Sequence, residues 1–376
     1  MKLGIIGFGN RIQTVVREIM QYEPACRIQA ITDVRNEEIR NEMAEMEQSD
    51  IHYYESPDQM LEKEKLDGVL IGTRCSLHTQ MALKVFGTGL PLYLEKPVAT
   101  TMEDLLLLKQ GYEETQPNVV VSFPLRATSP VLLIKEIIAS GKIGTVEHVQ
   151  AVNNVSYGSV YYQSWYRDEA ETGGLFLQKA THDFDYINAV LGLKPVSVCA
   201  MTSKQIFKGD KPAALECKDC EEQRTCPQST VTGFGKGTNW KYCCFAEDTG
   251  NEDSGSALIQ YESGMHVSYS QNFFARRGAE ARGARFLGYK GTVEFDFYTG
   301  IVKVFMHHTP SVETYELKSE GGHYGGDTAL AGSFVELMRG GSERSIAPLE
   351  DGLLSALMCL KARESAVTHT FQPISW

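Results

Sequence analysis

The chain reads as an α/β protein. A parallel-sheet domain with helices on both faces is followed by an α+β domain with a large, open, predominantly antiparallel sheet. Three observations predict this. Residues 1–122 alternate short β-rich runs with amphipathic stretches, and such alternation gives a parallel sheet. From residue 123 the strands lengthen and are joined by glycine turns, the pattern of a meander. With 376 residues the chain is also too long for one ordinary core and suits two domains, 1–122 and 123–376.

In the first half "KLGIIGFG" is a buried strand ending in a glycine turn, and Ile12, Val15, Val16, Ile19 and Met20 then recur with helical period. "IQAITDV" is the second strand, and "NEEIRNEMAEME" is a charged, helix-favouring stretch. "DGVLIGT" makes the third strand, and "LHTQMALKVFGTG" is a helix stopped by glycine. "PLYLEKP" and "NVVVSFP" are the fourth and fifth strands, with the helix "TMEDLLLLKQGYEET" between them. In the second half "SPVLLIKEIIASGKIG" is a helix and "TVEHVQAVNNVSY" a longer strand. "SALIQYESGMHVSYSQNF", "GARFLGYKGTVEFDF" and "GIVKVFMHH" form the meander, and two helices close the chain at about 327–339 and 349–366, expected to pack back on the first domain. The stretch 205–256 is polar, weakly periodic and rich in Gly, Lys and Cys, which predicts a long loop or insertion.

Composition excludes several functions. The net charge of −12 and the absence of a basic run exclude nucleic acid and anionic membrane as partners. No apolar run reaches the ~18–20 residues that span a bilayer. "MKLGIIGFGN" is broken by glycine too soon for a signal peptide, so a cytoplasmic protein is expected. Nine cysteines, an odd number, do not suggest a disulfide framework in such a chain.

Two motifs carry chemistry in the first half. Gly7 and Gly9 lie between a strand and a helix, where Gly7 permits a tight turn and Gly9 lets backbone amides approach a pyrophosphate. Ile12 occupies the third glycine position of the dinucleotide fingerprint. Asp33 ends the second strand, where a carboxylate accepts from a ribose 2′-hydroxyl; this predicts NAD, with NADP as the alternative because Arg35 is near. Glu95, Lys96 and Pro97 follow the fourth strand, and ligands of open α/β sheets bind beyond the carboxyl ends of strands.

A third feature is the stretch "LFLQKATHDFDYINAVLG", 175–192, which reads as one α-helix. Leu177, Ala180, Phe184, Ile187 and Leu191 make an apolar face, while Lys179, His182, Asp183 and Tyr186 share another. The ordinary explanation of such a stripe is a solvated surface with an ion pair.

With these motifs the whole chain resembles the Gfo/Idh/MocA oxidoreductases, named for glucose–fructose oxidoreductase and inositol dehydrogenase. The resemblance rests on "GIIGFGNR", "LHTQMAL", "LEKPVATT", "ASGKIGTVEHVQA", "GGLFLQKATHDFD" and "PLEDGLLSALMCLKARES". It implies an N-terminal Rossmann domain and a second domain whose open sheet binds substrate on one face and oligomerises through the other, as a homodimer or homotetramer. It implies an NAD(P)-dependent dehydrogenase or reductase acting on a carbinol carbon of a sugar, polyol or inositol. The small-molecule partner is thus carbohydrate-like. Cofactor contacts are implied at Gly7, Phe8, Gly9, Asn10, Arg11, Asp33, Thr73, His78, Glu95 and Lys96. The family's substrate-facing histidine matches His182. Gln178 stands where an aspartate is expected, with Lys179 and Asp183 flanking the histidine instead, so the polar stripe reads as a substrate wall.

Lys96, His182, Asp183 and Lys179 are therefore the candidate catalytic residues, with His182 as general base and Lys96 orienting the hydroxyl, or with these two roles exchanged. Arg126, Tyr157, Trp165, Tyr166 and Arg167 join Lys179 and His182 as candidate substrate contacts. Cys217, Cys220 and Cys226 give C-x2-C-x5-C, followed by Cys243 and Cys244, and Cys217, Cys220, Cys226 and Cys244 are candidate ligands for zinc, with an iron–sulfur cluster as the lesser option. Two other functions fit the motifs: an NAD-dependent glycosidase or lyase working through transient oxidation, and a non-catalytic dinucleotide sensor.

Overall fold

The computed structural model describes residues 1–45, 50–318, 322–342 and 344–376. Residues Met46 and Glu47 of the second predicted helix lie outside these. Two compact units emerge: residues 1–132, 181–189 and 318–357 form the first, and 133–180, 190–317 and 358–376 the second. The division is discontinuous where the sequence suggests a single cut.

In unit 1 the strands β1 (Lys2–Ile6), β2 (Arg27–Thr32), β3 (His52–Tyr53), β4 (Gly68–Ile71), β5 (Leu92–Leu94) and β6 (Val119–Val121) make a parallel sheet in the order β3-β2-β1-β4-β5-β6. Strands β4, β5 and β6 are buried along their whole length, as suits a parallel sheet with helices on both faces. The helices are α1 (Asn10–Tyr22), α2 (Asn36–Glu45), α3 (Pro57–Lys63), α4 (His78–Phe86) and α5 (Met102–Thr115). β3 and α3 escape the sequence reading because a two-residue strand carries no periodicity; α3 is instead set by its Ser56 cap and by Pro57 in its first turn.

After α6 (Ser129–Ala139) the chain forms β7 (Val146–Asn154), α7 (Val160–Gln163), α8 (Glu169–Thr172), a π-turn (Phe176–Ala180) and α9 (Thr181–Leu191). The strands β8 (Pro195–Ser203), β9 (Ser254–Tyr261), β10 (His266–Asn272), β11 (Ala281–Gly288), β12 (Gly291–Asp296), β13 (Ile301–Met306) and β14 (Val312–Glu316) follow. The helices α10 (Gly326–Met338) and α11 (Leu349–Thr368) and the strand β15 (Gln372–Pro373) close the chain. Unit 2 is built on a sheet in the order β14-β13-β12-β11-β7-β10-β9-β8-β15. Among the described residues of this sheet only β7 and β10 pair in parallel; the other pairings are antiparallel. Residues alternate along β9 and β10, with Ile259, Tyr261, Val267 and Tyr269 buried and their neighbours turned outward. In unit 1, α10 packs along α1, where Gly332 meets the Tyr22 ring. Among the described residues no helix is long and apolar enough to cross a membrane.

Candidate active site

The glycine turn opens unit 1's candidate site. Gly7 has φ +82°, and a Cβ there would lie 2.7 Å from the Thr73 nitrogen, so only glycine fits. Gly9 is different. Its φ of −77° suits any residue, and the nearest atom to a Cβ would be 3.9 Å away. The protein leaves this space open for something other than itself. Gly9 sits at the cap position just before α1, which has no side-chain cap and no acidic residue in its first turn. By contrast α5 is capped by Thr101 and carries Glu103 and Asp104 in its first turn. An uncapped helix start beside an open glycine suits a pyrophosphate.

The third fingerprint glycine has moved. Ile12 is buried, and a Cβ on Gly72 would fall 1.9 Å from its Cγ1. The close approach that a glycine at position 12 would allow is supplied from the end of β4 instead. Asp33 accepts from the Phe8 amide at 2.7 Å and the Arg35 amide at 2.9 Å, which ties the end of β2 to the glycine turn. Asn10 is the first residue of α1 and is exposed.

Other expected cofactor residues act on the protein itself. His78 is fully buried, with Nδ1 2.7 Å from the Pro97 carbonyl oxygen and Nε2 3.3 Å from that of Thr73. Burial, aided by the Lys96 charge, pushes this imidazole below its usual range against the pull of the Pro97 carbonyl and Glu95. It fixes the loop carrying Lys96, whose peptide bond to Pro97 is cis. The Arg11 guanidinium donates to Glu95 (3.0 Å), Ser122 (3.1 Å) and Asp327 (2.6 Å), and Asp327 also accepts from His323 at 2.7 Å. Burial alone would raise the Asp327 carboxyl, but the His323 and Arg11 hydrogen bonds outweigh it and hold it well below the usual carboxylate range. Arg11 thereby links the glycine turn to the Glu95–Lys96 loop and to the start of α10.

Sequence reasoning missed Asp327 and His323. A signal existed: "HYGGD" sets a histidine and a carboxylate around paired glycines just before a helix. His323 and Tyr324 take φ of 47° and 49°, strained values for side-chain-bearing residues that cluster at functional sites.

His182, on α9, is half-buried, and its ring meets the edge of Phe123 with centroids 5.8 Å apart. Phe123 follows Ser122, so the end of β6 carries both a neighbour of His182 and a partner of Arg11. Asp183 is fully buried. Arg126, a candidate substrate contact, is engaged within the protein. Its guanidinium is held by Asp185 through both oxygens and by Asp351 at 2.6 Å, and it also donates to the Ile346 carbonyl. A guanidinium held by two carboxylates is engaged in holding α9 and the start of α11.

In unit 2 the predicted regular helix over 175–192 is interrupted. Residues Phe176–Ala180 form a π-turn, and only from Thr181 does α-helix begin. The extra residue breaks the spacing on which the shared polar stripe rests, and such turns favour functional positions. The solvated-surface explanation also fails, because Lys179 and Gln178 are buried with Asp183 and Tyr186. Lys179 donates to the Tyr157 hydroxyl at 2.5 Å and lies over the Tyr157 and Tyr161 rings, 4.6 and 5.2 Å from their centroids. Trp165 and Tyr166 stack on each other at 3.9 Å, and Tyr166 meets Tyr161 edge-on at 5.3 Å. Arg167 is also engaged within the protein: it pairs with Asp248 and covers the Tyr242 ring at 4.7 Å.

The segment 205–253 forms no long strand, yet it ends in three polar residues with separate duties, Asn251 and Asp253 buried and Glu252 half-buried. Asn251 donates to the carbonyls of Tyr161 and Tyr166. Glu252 accepts from the Leu175 and Phe176 amides at 3.0 Å each, capping the π-turn. Asp253 accepts from the amides of Gln205, Ile206 and Phe207.

The expected metal centre is corrected. Among the described residues no group of three or more His, Cys, Asp or Glu is placed to hold a metal ion. Cys244 faces the apolar cluster of Val155, Tyr161, Tyr162, Leu175, Phe207 and Phe273. Cys217 Sγ lies 3.5 Å from the Tyr242 carbonyl. Burial raises the thiols of Cys226, Cys243 and Cys244 above the usual thiol range. These positions support neither zinc nor an iron–sulfur cluster.

Comparison with known proteins accords with this arrangement. Residues 1–123 match "Oxidoreductase family, NAD-binding Rossmann fold", and residues 131–294 match "GFO/IDH/MocA C-terminal domain". The putative oxidoreductase YteT of Bacillus subtilis (strain 168) is 28% identical over 73% of this chain and 73% of its own. Inositol 2-dehydrogenase 2 of Saccharopolyspora erythraea is 25% identical over 54% of this chain and 58% of its own. Among solved structures, a levoglucosan dehydrogenase in complex with NADH and levoglucosan shares the fold with a TM-score of 0.79 at 17% identity, covering 100% of both chains. A myo-inositol 2-dehydrogenase from Lactobacillus plantarum does so with a TM-score of 0.74 at 18% identity, covering 100% of this chain and 99% of its own. The glycine turn, the strand-end lysine and these two consecutive matches make the chain a member of the Gfo/Idh/MocA oxidoreductase family.

Proposed function

We propose that this oxidoreductase transfers hydride between NAD and a carbinol carbon of a sugar, polyol or inositol-like substrate. The observation that carries the reading is the open space at Gly9 beside the uncapped start of α1. Residues Gly7–Asn10 would hold the pyrophosphate, and Asp33 the adenosine ribose. The bound dinucleotide would supply or accept the hydride. Asp33 favours NAD over NADP, because a 2′-phosphate would meet its negative charge. The named substrates of related proteins, inositols and levoglucosan, support a carbohydrate-like ligand.

The chain's own part is the proton. His182 takes it from the carbinol hydroxyl, because imidazole is the side chain type whose reference pKa lies closest to neutrality. Lys96 orients that hydroxyl and stabilises the developing negative oxygen. Arg11, Glu95 and His78 hold the Lys96 loop in place.

Fluorescence titration with NADH and NADPH is the first test, followed by a panel of polyols, sugars and aryl glycosides. NADH is expected to bind more tightly, and Asp33→Ser to narrow the gap by about tenfold, roughly one charged contact. His182→Ala should lower turnover by about 100- to 10,000-fold while NADH affinity persists. Turnover unchanged in that variant would remove His182 from the assignment, and a protein that neither binds nor retains either dinucleotide would remove the dehydrogenase reading itself.

A further inference from the structure

His323 and Asp327 have the four-residue spacing of an ordinary helical ion pair, yet helix geometry does not make this one. Asp327 belongs to the first turn of α10, whereas His323 precedes the helix. His323, Tyr324 and Gly325 take φ of 47°, 49° and 81° in succession. Two residues with side chains placed side by side in the left-handed region are costly, and such strain persists only where the surroundings over-determine the backbone. Those surroundings are plain. A Cβ on Gly326 would lie 2.2 Å from the Pro124 carbonyl oxygen, so α10 starts hard against the turn that follows β6. His323 Nδ1 then sits 2.7 Å from Asp327 Oδ2, while Asp327 Oδ1 accepts from Arg11 at 2.6 Å.

This arrangement fixes the chemistry of the ring. The hydrogen bonds from His323 and Arg11 hold Asp327 ionised, and a carboxylate only accepts, so His323 Nδ1 carries the proton. Nε2 is the nitrogen left for a ligand, on a side chain that is 47% exposed. A histidine aimed by a carboxylate through one nitrogen presents the other in a set direction.

The place of the ring follows from the sheet. In the order β3-β2-β1-β4-β5-β6, α1 follows β1 and Asp33 follows β2. A dinucleotide with its pyrophosphate at the start of α1 and its adenosine toward Asp33 extends its other half over the ends of β4, β5 and β6. The Arg11 side chain runs the same way, to Glu95 after β5 and to Ser122 after β6. Asp327 meets Arg11 there and brings His323 with it. All these residues belong to unit 1.

We propose that His323 is a cofactor contact whose Nε2 hydrogen-bonds the ribose or carboxamide of the nicotinamide half of the dinucleotide, with Asp327 orienting the ring. The inference rests on the proposed function for the presence of a dinucleotide. It goes beyond that reading by assigning a residue to the half that Gly7–Asn10 and Asp33 do not reach. Asp327 is then a positioning residue with two duties, Arg11 on one oxygen and His323 on the other.

A ligand that lacks the nicotinamide half separates this contact from a merely structural role. Titrations compare ADP with NADH in the full chain and in His323→Gln. The variant should bind NADH about five- to tenfold more weakly, the worth of one hydrogen bond, and ADP as the wild type does. Asp327→Asn should show the same selective loss, which a general loosening of α10 would spread to ADP. An NADH loss below about twofold in His323→Gln, or an equal loss for ADP, would overturn the contact. Should that variant fail to fold, the wild type carries the test through diethyl pyrocarbonate, which carbethoxylates accessible imidazole nitrogens. Mass spectrometry should find His323 protected by NADH and not by ADP, and equal labelling under both would overturn the proposal. The wild-type NADH titration reads the proposed function separately. A chain that binds NADH without either His323 effect loses only this inference, whereas one that binds no dinucleotide loses both.

Discussion

Arg126 in unit 1 and Lys179 in unit 2 are both buried cations, and their surroundings treat them in opposite ways. Arg126 meets Asp185 and Asp351, and Arg11 in the same unit meets Glu95 and Asp327. Each guanidinium joins segments distant in sequence and has its charge cancelled within the protein. Lys179 receives a phenol and two rings. The difference separates two uses of a buried charge. With carboxylates around it, a cation becomes a fixed brace whose protonation is settled. With a phenol and two ring faces around it, Lys179 ties no distant segment of the fold through a carboxylate.

This contrast can be broken by substitution. The largest effect is expected from Arg126→Met, which would strand the fully buried Asp185 carboxylate. Breaking one side of a buried pair typically removes about 3–5 kcal/mol, which urea unfolding would read directly. A loss below about 1 kcal/mol would show that Arg126 is no brace.

Asp327→Asn comes next. The wild-type carboxyl lies below its ordinary pKa, so its stabilisation is complete above about pH 4 and is lost as the pH falls further, toward its depressed folded-state value. The variant should be less stable at pH 7 by about 1.5–3 kcal/mol, the range for hydrogen bonds to charged groups, and should lose less than the wild type on acidification. Parallel melting-temperature curves for the two proteins from pH 7 to pH 3 would contradict the Arg11–Asp327–His323 account.

The smallest change is expected from Lys179→Met. No carboxylate is stranded, so the unfolding free energy should stay within about 1 kcal/mol of the wild type. A loss as large as that of Arg126→Met would expose a counter-charge for Lys179 and remove the contrast.

The architecture was legible because periodicity is local. The glycine turn, Asp33 and the lysine after the fourth predicted strand could be placed from short windows, as could α10 and α11. The fates of the arginines could not. Arg126 and Asp185 are 59 residues apart, Arg167 and Asp248 are 81 apart, and Arg11 and Asp327 are 316 apart. A lone arginine beside an expected ligand site looks free until its distant carboxylate is known. The π-turn was illegible for another reason: its residues fit α spacing equally well, and the Glu252 carboxylate that caps its start lies in a stretch with no pattern of its own. The cysteines misled because spacing in sequence does not set ligand geometry: Cys244 belongs to an apolar cluster.

The contact between Ile12 and Gly72 has a consequence for recognising chains of this kind. A fingerprint that demands glycine at one place treats a single position as the constraint. Here the constraint falls on a pair, since the first turn of α1 and the end of β4 share one small volume. A branched residue may stand on one side provided the other gives up its side chain. The two positions should therefore vary jointly among descendants of this chain: a glycine gained at 12 would release 72 to accept alanine or serine, while Gly72→Ala alone, with Ile12 in place, should be disfavoured.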